Sequence, residues 1–193
     1  MNIERNSGGV MLPYRSHQPQ AHQHSFIAEN AILIGDIEIG PGSSVWYSCV
    51  LRADVNHIRI GDDTNLQDGT VVHVNSRQYP TLIGDRVTVG HMVLLHACTL
   101  QDDCMVGMRA TVMDGAVVET GALVAAGALV TPGCVVPSGE VWAGTPAKFM
   151  RPFNAGDQEM LDYIWPEYRD LGQEYHQAGA DLRQFSRTRP QGD

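Results

Sequence analysis

Aliphatic residues recur every six positions along most of the chain. The series begins at Ile27, is interrupted by three extra residues after Leu51 and by five after Val72, and drops one residue after Leu95. The aliphatic positions are Ile27, Leu33, Ile39, Val45, Leu51, Ile60, Leu66, Val72, Ile83, Val89, Leu95, Leu100, Val106, Val112, Val118, Val124, Val130 and Val136, with Trp142 closing the series. A fixed period of six from residue 27 to residue 142 predicts a repeat architecture.

The residue four places after each aliphatic position is usually small, and Gly, Asp and Asn fill many of the positions between. The small residues are Ala31, Ser43, Thr64, Thr70, Thr99, Ala110, Ala116, Ala122 and Ala128. This pattern predicts short strands separated by tight turns. One unit of six cannot bury its aliphatic side chain alone, but stacked coils can, so we predict an all-β solenoid with a continuous core. An ordinary β-sandwich is the alternative, but it predicts no fixed period.

These hexads resemble the hexapeptide-repeat family of parallel β-helices. The resemblance implies three hexads in each coil and a left-handed coil, the opposite hand from most parallel crossovers. It covers residues 26–150, including the segment VWAGTPAKFMR, which is similar to the usual end of the helix in that family.

The two ends of the chain follow other patterns. Residues 1–25 are interpreted as an irregular N-terminal arm whose His17, His22 and His24 are solvated. Residues 151–193 are predicted to form a C-terminal helix and tail. One face of this helix would carry Met160, Leu161, Ile164, Tyr168, Leu171 and Tyr175. Because proline disrupts helix interiors, Pro166 predicts a kink or break near Trp165.

Composition limits the possible partners and surroundings. The 193 residues carry 13 Lys and Arg against 22 Asp and Glu, a formal net charge of −9, without a basic run, so nucleic acid is not an expected partner. No apolar run reaches the ~18 residues that span a bilayer, and the first residues, MNIERNSGGVMLPYR, lack the apolar segment of a secretory signal. We therefore expect a soluble, cytoplasmic protein with no membrane contact.

The four cysteines show no spacing typical of a zinc site. Cys49, Cys104 and Cys134 occupy positions where other hexads have Ala, Thr or Ser. We interpret them as small core residues rather than as disulfide partners or metal ligands.

Two histidines are predicted to stack on one face of the coil. His73 and His96 are each second in their hexad, and their separation corresponds to one coil plus the five inserted residues. Adjacent strands lie about 4.8 Å apart, so the two imidazoles could share a metal ion. Arg52 falls on the same face one coil earlier, and Asp54 follows it. A single histidine on a solvent-facing strand is usually only polar surface, but two in register favour a site.

A second polar cluster is predicted around the neighbouring corner. His91 follows Val89, one coil after the segment that carries Asn65, Gln67 and Asp68. In a threefold homotrimer, this cluster of one subunit could meet the His73 face of the next. Three histidines with an open fourth position match a catalytic zinc site, and iron(II) or cobalt(II) could also occupy it.

Four segments resemble the gamma-class carbonic anhydrase family in order and spacing. They are VLRADVNHIRIG, TNLQDGTVVHV, PTLIGDRVTVGHMVLLHACTL and VGMRATVMDGAVV. Members of that family are left-handed β-helix trimers with metal sites at their interfaces. The resemblance implies that His73 and His96 of one subunit bind the metal together with His91 of its neighbour.

The same resemblance implies roles for five further residues. Arg52, Asp54 and Asp68 are similar to the family's inter-subunit salt-bridge set. Gln67 and Asn65 resemble the pair that orients the metal-bound water.

Two features depart from the family pattern. The family usually has Arg-Gly-Asp where this chain has Arg52-Ala53-Asp54. Its best-characterised branch has a long acidic loop with a proton-shuttling glutamate, whereas this chain has only NSRQYP at 75–80, and Val55 replaces a second glutamate. The resemblance therefore implies metal binding without supplying a residue for fast proton transfer.

The implied reaction is the reversible hydration of CO₂ to bicarbonate by a metal-bound hydroxide, since zinc lowers the pKa of bound water to about 7. One alternative is a hexapeptide-repeat acyltransferase or thioesterase acting on coenzyme A derivatives. Such enzymes commonly use one histidine between subunits and need no cluster of three. Another is a non-catalytic subunit of a larger assembly that has retained the metal site.

Overall fold

In the computed structural model, residues 10–186 are described, with side chains to residue 179, and they form a parallel β-solenoid of about seven turns followed by one helix. The start of the predicted arm and the end of the predicted tail lie outside the described residues. The strands are β1 (Val10–Leu12), β2 (Gln20–Ala21), β3 (Phe26–Ile27), β4 (Ile32–Ile39), β5 (Ser44–Val45), β6 (Val50–Ile60), β7 (Asn65–Leu66), β8 (Val71–His73), β9 (Thr81–Ile83), β10 (Thr88–Val89), β11 (Leu94–His96), β12 (Thr99–Leu100), β13 (Met105–Val106), β14 (Thr111–Val112), β15 (Val117–Val118), β16 (Leu123–Val124), β17 (Leu129–Val130), β18 (Val135–Val136), β19 (Glu140–Ala143) and β20 (Lys148–Pro152). The helix is α1 (Ala155–Ser186).

The strands stack into three faces, as three hexads in each coil require. The first face contains β8, β11, β14 and β17, and the second contains β9, β12, β15 and β18. The third runs from β3 through β5, β7, β10, β13 and β16 to β19, which β20 closes in antiparallel pairing. The long strands β4 and β6 continue around a corner and belong to both the first and the second face.

The predicted hexad core is confirmed. Every aliphatic residue of the series from Ile27 to Val136 is buried, and Trp142 packs against the same core. The small positions are buried as well, except that Cys98 rather than Thr99 fills the position in the shortened hexad, because the dropped residue moves the strand forward by one. Cys49 and Cys104 are buried free thiols in the core, as expected, and Cys134 is half-buried beside it.

The corners of the coil depend on left-handed backbone at the fourth residue of the hexad. This position has a positive φ at Gly42, Ser48, Asp63, Gly69, Arg86, Met92, Asp103, Arg109, Gly115, Gly121, Gly127, Gly133 and Gly139. Glycine adopts this conformation at no steric cost, which explains its recurrence here. Met92 adopts it with a φ of 57° and so turns the chain between His91 and β11.

Helix α1 packs on the third face of the coil. Its Leu161 is buried, while Tyr168 and Leu171 pack against the core beside Trp46. The helix is continuous through Pro166, so the break that the sequence allowed near Trp165 does not occur. Proline in a helix interior costs about 3 kcal/mol, and packing of Tyr168 and Leu171 against the core opposes that cost.

The N-terminal arm is more regular than the sequence predicts. Strands β1 and β2 both pair in parallel with β4 and extend the first and second faces. Two such short strands leave no periodic signal, which is why the sequence indicates an irregular segment. His17, His22 and His24 are exposed, as expected.

No helix among residues 10–186 is both long enough and apolar enough to cross a membrane.

The start of α1 is fixed by a reciprocal capping arrangement. The Asn154 side chain accepts hydrogen bonds from the backbone N–H groups of Gly156 and Asp157, at 2.9 and 3.2 Å. Asp157 accepts one in return from the Asn154 backbone N–H at 2.9 Å, and Arg151 donates to both of its carboxylate oxygens. The hydrogen bond from Arg151 is the main reason that the pKa of Asp157 lies below its ordinary value.

Asp157→Asn is expected to lower the free energy of unfolding by roughly 1–2 kcal/mol at pH 7, because it weakens the cap and removes the charge that pairs with Arg151. A lowered carboxyl pKa stabilises the fold above the unfolded value of about 3.9 and loses that effect as the pH falls through the folded value. Urea unfolding of the two proteins should therefore converge at acidic pH. Asp162→Asn, an exposed change on the same helix, is the control, and equal losses from both variants would contradict the assignment.

Candidate metal centre

His73 and His96 meet at the end of neighbouring strands on the first face. They are directly paired in the ladder between β8 and β11, as the hexad register predicts. Nδ1 of His73 lies 3.1 Å from Nε2 of His96, and both rings are partly buried. Two nitrogen ligands at 2.0–2.1 Å from a tetrahedral zinc ion lie about 3.3 Å apart. The pair therefore has the spacing of two ligands of one metal ion.

Asp54 holds the other nitrogen of His73. Its Oδ1 lies 3.2 Å from Nε2 of His73, and its Oδ2 accepts a hydrogen bond from Arg52. Burial by itself raises the pKa of Asp54, but the hydrogen bonds from His73 and Arg52 outweigh it and hold that pKa below its ordinary value. Burial lowers the pKa of His73, and Arg52 and His96 lower it further against the opposing effect of Asp54. The neutral imidazole, which is the metal-binding form, is thereby favoured.

Asp114 holds the other nitrogen of His96. Its Oδ1 lies 2.5 Å from Nδ1 of His96, and its Oδ2 accepts a hydrogen bond from the Asn75 side chain at 2.8 Å. Burial raises the pKa of Asp114, but the hydrogen bonds from Asn75 and His96 outweigh it and leave that pKa below its ordinary value. An ionised carboxylate only accepts hydrogen bonds, so Nδ1 of His96 must carry the proton and Nε2 is left to bind a metal.

His91 lies apart, at the corner between the third and first faces. Its Nδ1 lies 3.0 Å from Oδ2 of Asp68, which stands one coil earlier in the same corner. Each of the three histidines predicted as ligands thus has one ring nitrogen beside an aspartate. Ligating histidines commonly have this arrangement, because the carboxylate fixes the tautomer and the orientation of the ring.

Gln67 is held in a buried chain of side-chain hydrogen bonds. Its Nε2 donates to Oδ1 of Asn65 at 3.1 Å, and Asn65 in turn donates to the Thr88 hydroxyl at 3.0 Å. Because its amide nitrogen is committed to Asn65, Gln67 can offer Oε1 as an acceptor to a neighbouring group. The pair predicted to orient a water is therefore rigid.

The structure brings the predicted residues together in two groups. One group lies where β8 and β11 end and contains Arg52, Asp54, His73 and His96. The other group lies at the corner between the third and first faces and contains Asn65, Gln67, Asp68 and His91. Within the described residues, no three His, Cys, Asp or Glu side chains of one chain converge as a metal site.

Sequence reasoning missed Asp114 and Asn75. In the ladder between β11 and β14, Leu95 pairs with Val112, so the register stacks Met113, not Asp114, on His96. Asp114 lies one residue farther along the corner and reaches back to the imidazole. The signal in the sequence is therefore an aspartate next to a register position, rather than at the position itself.

The chemistry of the donors fits a small divalent metal of the zinc type. Neutral imidazoles suit zinc, iron(II) and cobalt(II). The two aspartates contact the ring nitrogens that point away from the space between the imidazoles. His73 and His96 would be the two ligands from one chain. The described residues of one chain bring no third such ligand to this pair.

Fold and site together define a hexapeptide-repeat β-helix protein with a paired-histidine centre on one face. In agreement, a family profile described as "Hexapeptide repeat of succinyl-transferase" matches residues 101–132. The chain belongs to the gamma carbonic anhydrase family.

Two curated relatives and one solved structure illustrate the similarity. Gamma carbonic anhydrase 2, mitochondrial, of Arabidopsis thaliana is 53% identical over 148 residues, covering 74% of this chain and 52% of that protein. The carbonic anhydrase of Geobacillus kaustophilus is 40% identical over 166 residues, covering 86% of this chain and 91% of that protein. The crystal structure of a hexapeptide transferase family protein from Anaplasma phagocytophilum superposes with a TM-score of 0.82 at 46% identity, covering 86% of this chain and 98% of that one.

The chain thus spans about half of the Arabidopsis protein that it matches.

Proposed function

We propose that this protein is a carbonic anhydrase that interconverts CO₂ and bicarbonate at zinc sites shared between the subunits of a homotrimer. The observation that carries the proposal is the His73–His96 pair, whose facing nitrogens lie 3.1 Å apart while an aspartate holds the other nitrogen of each ring. Relatives that are named carbonic anhydrases support CO₂ as the substrate.

The trimer would complete the site by adding His91 of the neighbouring subunit. Exposed apolar side chains beside both histidine groups support an interface there. Val71 and Leu94, two residues before His73 and His96, are 38% and 37% exposed, and Met92, next to His91, is 52% exposed. Contiguous exposed apolar surface typically marks an interaction site. A threefold arrangement brings two different surface regions of each subunit together and closes the ring.

The residues of the chain would position and orient the reactants. A zinc ion held at this site would supply a nucleophile at neutral pH by lowering the pKa of bound water to about 7. Gln67, from the subunit that donates His91, can accept a hydrogen bond from the attacking oxygen through Oε1. Because Asn65 holds the amide nitrogen of Gln67, and Thr88 in turn holds Asn65, Oε1 of Gln67 would stay available to accept that hydrogen bond.

Hydration also releases a proton, which must leave the site. The loop at 75–80 contains no carboxylate, and both carboxylate oxygens of Asp114 are already engaged by His96 and Asn75. The loop therefore supplies no carboxylate to carry the proton away. We propose that buffer or solvent water accepts it, so that turnover is slower than in the branch with the acidic loop.

The direct test is a metal analysis combined with stopped-flow measurement of CO₂ hydration, on protein purified without oxygen. The proposal predicts about one zinc or iron(II) ion per subunit and hydration well above the buffer rate. Fully metal-loaded protein that hydrates CO₂ no faster than buffer would refute it. That result combined with stoichiometric partners in a pull-down would favour the non-catalytic subunit.

A second candidate function is acyl transfer from coenzyme A derivatives. It is favoured by the Anaplasma relative, which is described as a hexapeptide transferase family protein. An acyltransferase would release free coenzyme A thiol from acetyl-coenzyme A when an acceptor is present, and it would do so whether or not metal is bound. The carbonic anhydrase proposal predicts no such release.

The cellular location is proposed separately. We propose the cytoplasm for this chain, whereas the plant relatives are named as mitochondrial.

A further inference from the structure

The short loop at 75–80 is tied to the candidate metal centre through Asp114. The Asn75 side chain donates to one oxygen of Asp114 at 2.8 Å, and the other oxygen contacts Nδ1 of His96 at 2.5 Å. Nδ1 and Nε2 lie on opposite sides of an imidazole ring, so Asp114 stands on the side of His96 away from His73. It therefore cannot compete with the imidazoles for a metal ion between them.

Asn75 is itself held by four hydrogen bonds. Its backbone N–H donates to the Tyr79 carbonyl at 3.0 Å, and its backbone carbonyl accepts from the Asn56 side chain at 3.0 Å. Its side-chain oxygen accepts from the Arg77 backbone N–H at 3.0 Å, which leaves the side-chain nitrogen for Asp114. The orientation of the amide is thereby determined by the loop.

The loop also covers the corner on which Asp114 stands. The Tyr79 ring lies over Gly115, where an added Cβ would come within 3.1 Å of the ring. Gly115 also needs its positive φ of 68° to turn the corner. The inserted loop therefore packs against the neighbouring coil at Gly115, and it also holds Asn75 in position.

We propose that Asp114, oriented by Asn75, is a positioning residue that fixes His96 in the tautomer with the proton on Nδ1 and leaves Nε2 for the metal. This inference rests on the metal site of the proposed function. It assigns the short loop a structural role in ligand orientation. Partners that lie behind ligating histidines typically change metal affinity 10–100-fold when they are removed.

Zinc affinity and histidine tautomer test the proposal independently of catalysis. Asp114→Ala and Asp114→Asn are compared with Asp103→Asn, a matched change at an aspartate that pairs with Arg86 at the corner between β12 and β13. Zinc affinity is measured by chelator competition on stripped full-length protein. The tautomer of His96 is read from long-range ¹H–¹⁵N spectra of metal-free, histidine-labelled protein.

Both Asp114 variants are expected to bind zinc roughly 10–100-fold more weakly than wild type, and the control is expected to match wild type. In the wild type, His96 carries its proton on Nδ1; in Asp114→Ala the Nε2-protonated form becomes populated. Asn75→Ala should weaken binding less and should add little in the Asp114→Ala background, since both changes break one network. If Asp114→Ala fails to fold, Asp114→Asn carries the test.

Zinc affinity and tautomer that match the Asp103→Asn control would overturn the positioning role. Wild-type protein that binds zinc but does not hydrate CO₂ would instead refute the proposed function and leave this inference intact. A wild-type protein that binds no zinc would overturn both.

Discussion

His96→Ala is expected to empty the metal site and to reduce CO₂ hydration to about one thousandth of the wild-type rate or less, which is the background of the buffer. Among the residues that the structure describes, His96 supplies one of the two nitrogens that a single chain brings together, and His73 alone cannot hold a catalytic ion. His91→Ala should have an equal effect, although His91 lies apart from the pair in its own chain. Metal content by elemental analysis and hydration by stopped flow measure both losses.

The matched control is His17→Ala. His17 is an exposed histidine whose Nδ1 also lies near an aspartate, 3.5 Å from Asp36, but it stands outside both histidine groups. This variant should keep full metal and full activity. A His96→Ala protein that retains both would remove the basis of the proposed site.

Gln67→Leu is expected to lower kcat by about 10²- to 10³-fold while metal content stays at the wild-type level, because it removes a fixed acceptor from the reacting oxygen. The buried amide is similar in volume to leucine, so the fold should tolerate the change. Asn65→Ala should act in the same direction to a smaller extent, since the Gln67 amide then loses the partner that orients it.

Gln101→Leu provides the comparison for this effect. Gln101 is exposed and accepts hydrogen bonds from Thr120 on another face of the coil. Its replacement should leave kcat unchanged. If Gln67→Leu reduced metal content and activity in parallel, the residue would support the metal site rather than orient a reactant.

The solenoid could be predicted from the sequence because its core repeats. Each coil buries its aliphatic residues in the same way, so the period of six fixes which side chains point inward and which residues stack. His73 and His96 could be paired from 23 residues apart for this reason, and the ladder between β8 and β11 pairs them.

Interactions that leave the repeat could not be predicted in the same way. Asp114 reaches His96 from one residue beyond the register position, and Asn75 lies in an insertion whose path no period determines. The two N-terminal strands add to the edge of β4 without a pattern of their own. Pro166 predicts a kink or a break from local propensity, but packing on the third face keeps α1 continuous.

The spacing of His91 and His96 follows from the same geometry. They lie on either side of the corner at Met92, and β11 carries His96 to the far end of the first face. Each would serve a different metal ion, one with the chain's own His73 and the other with the pair of a neighbour.

The central claim is that every site combines His73 and His96 of one subunit with His91 of the next. It is tested most directly by isolating mixed trimers of His91→Ala and His96→Ala subunits through two different affinity tags and measuring their CO₂ hydration. Neither variant has a complete site alone, but every mixed trimer restores one of its three sites, so about one third of wild-type activity should return. Mixed trimers no more active than either parent would contradict a shared site.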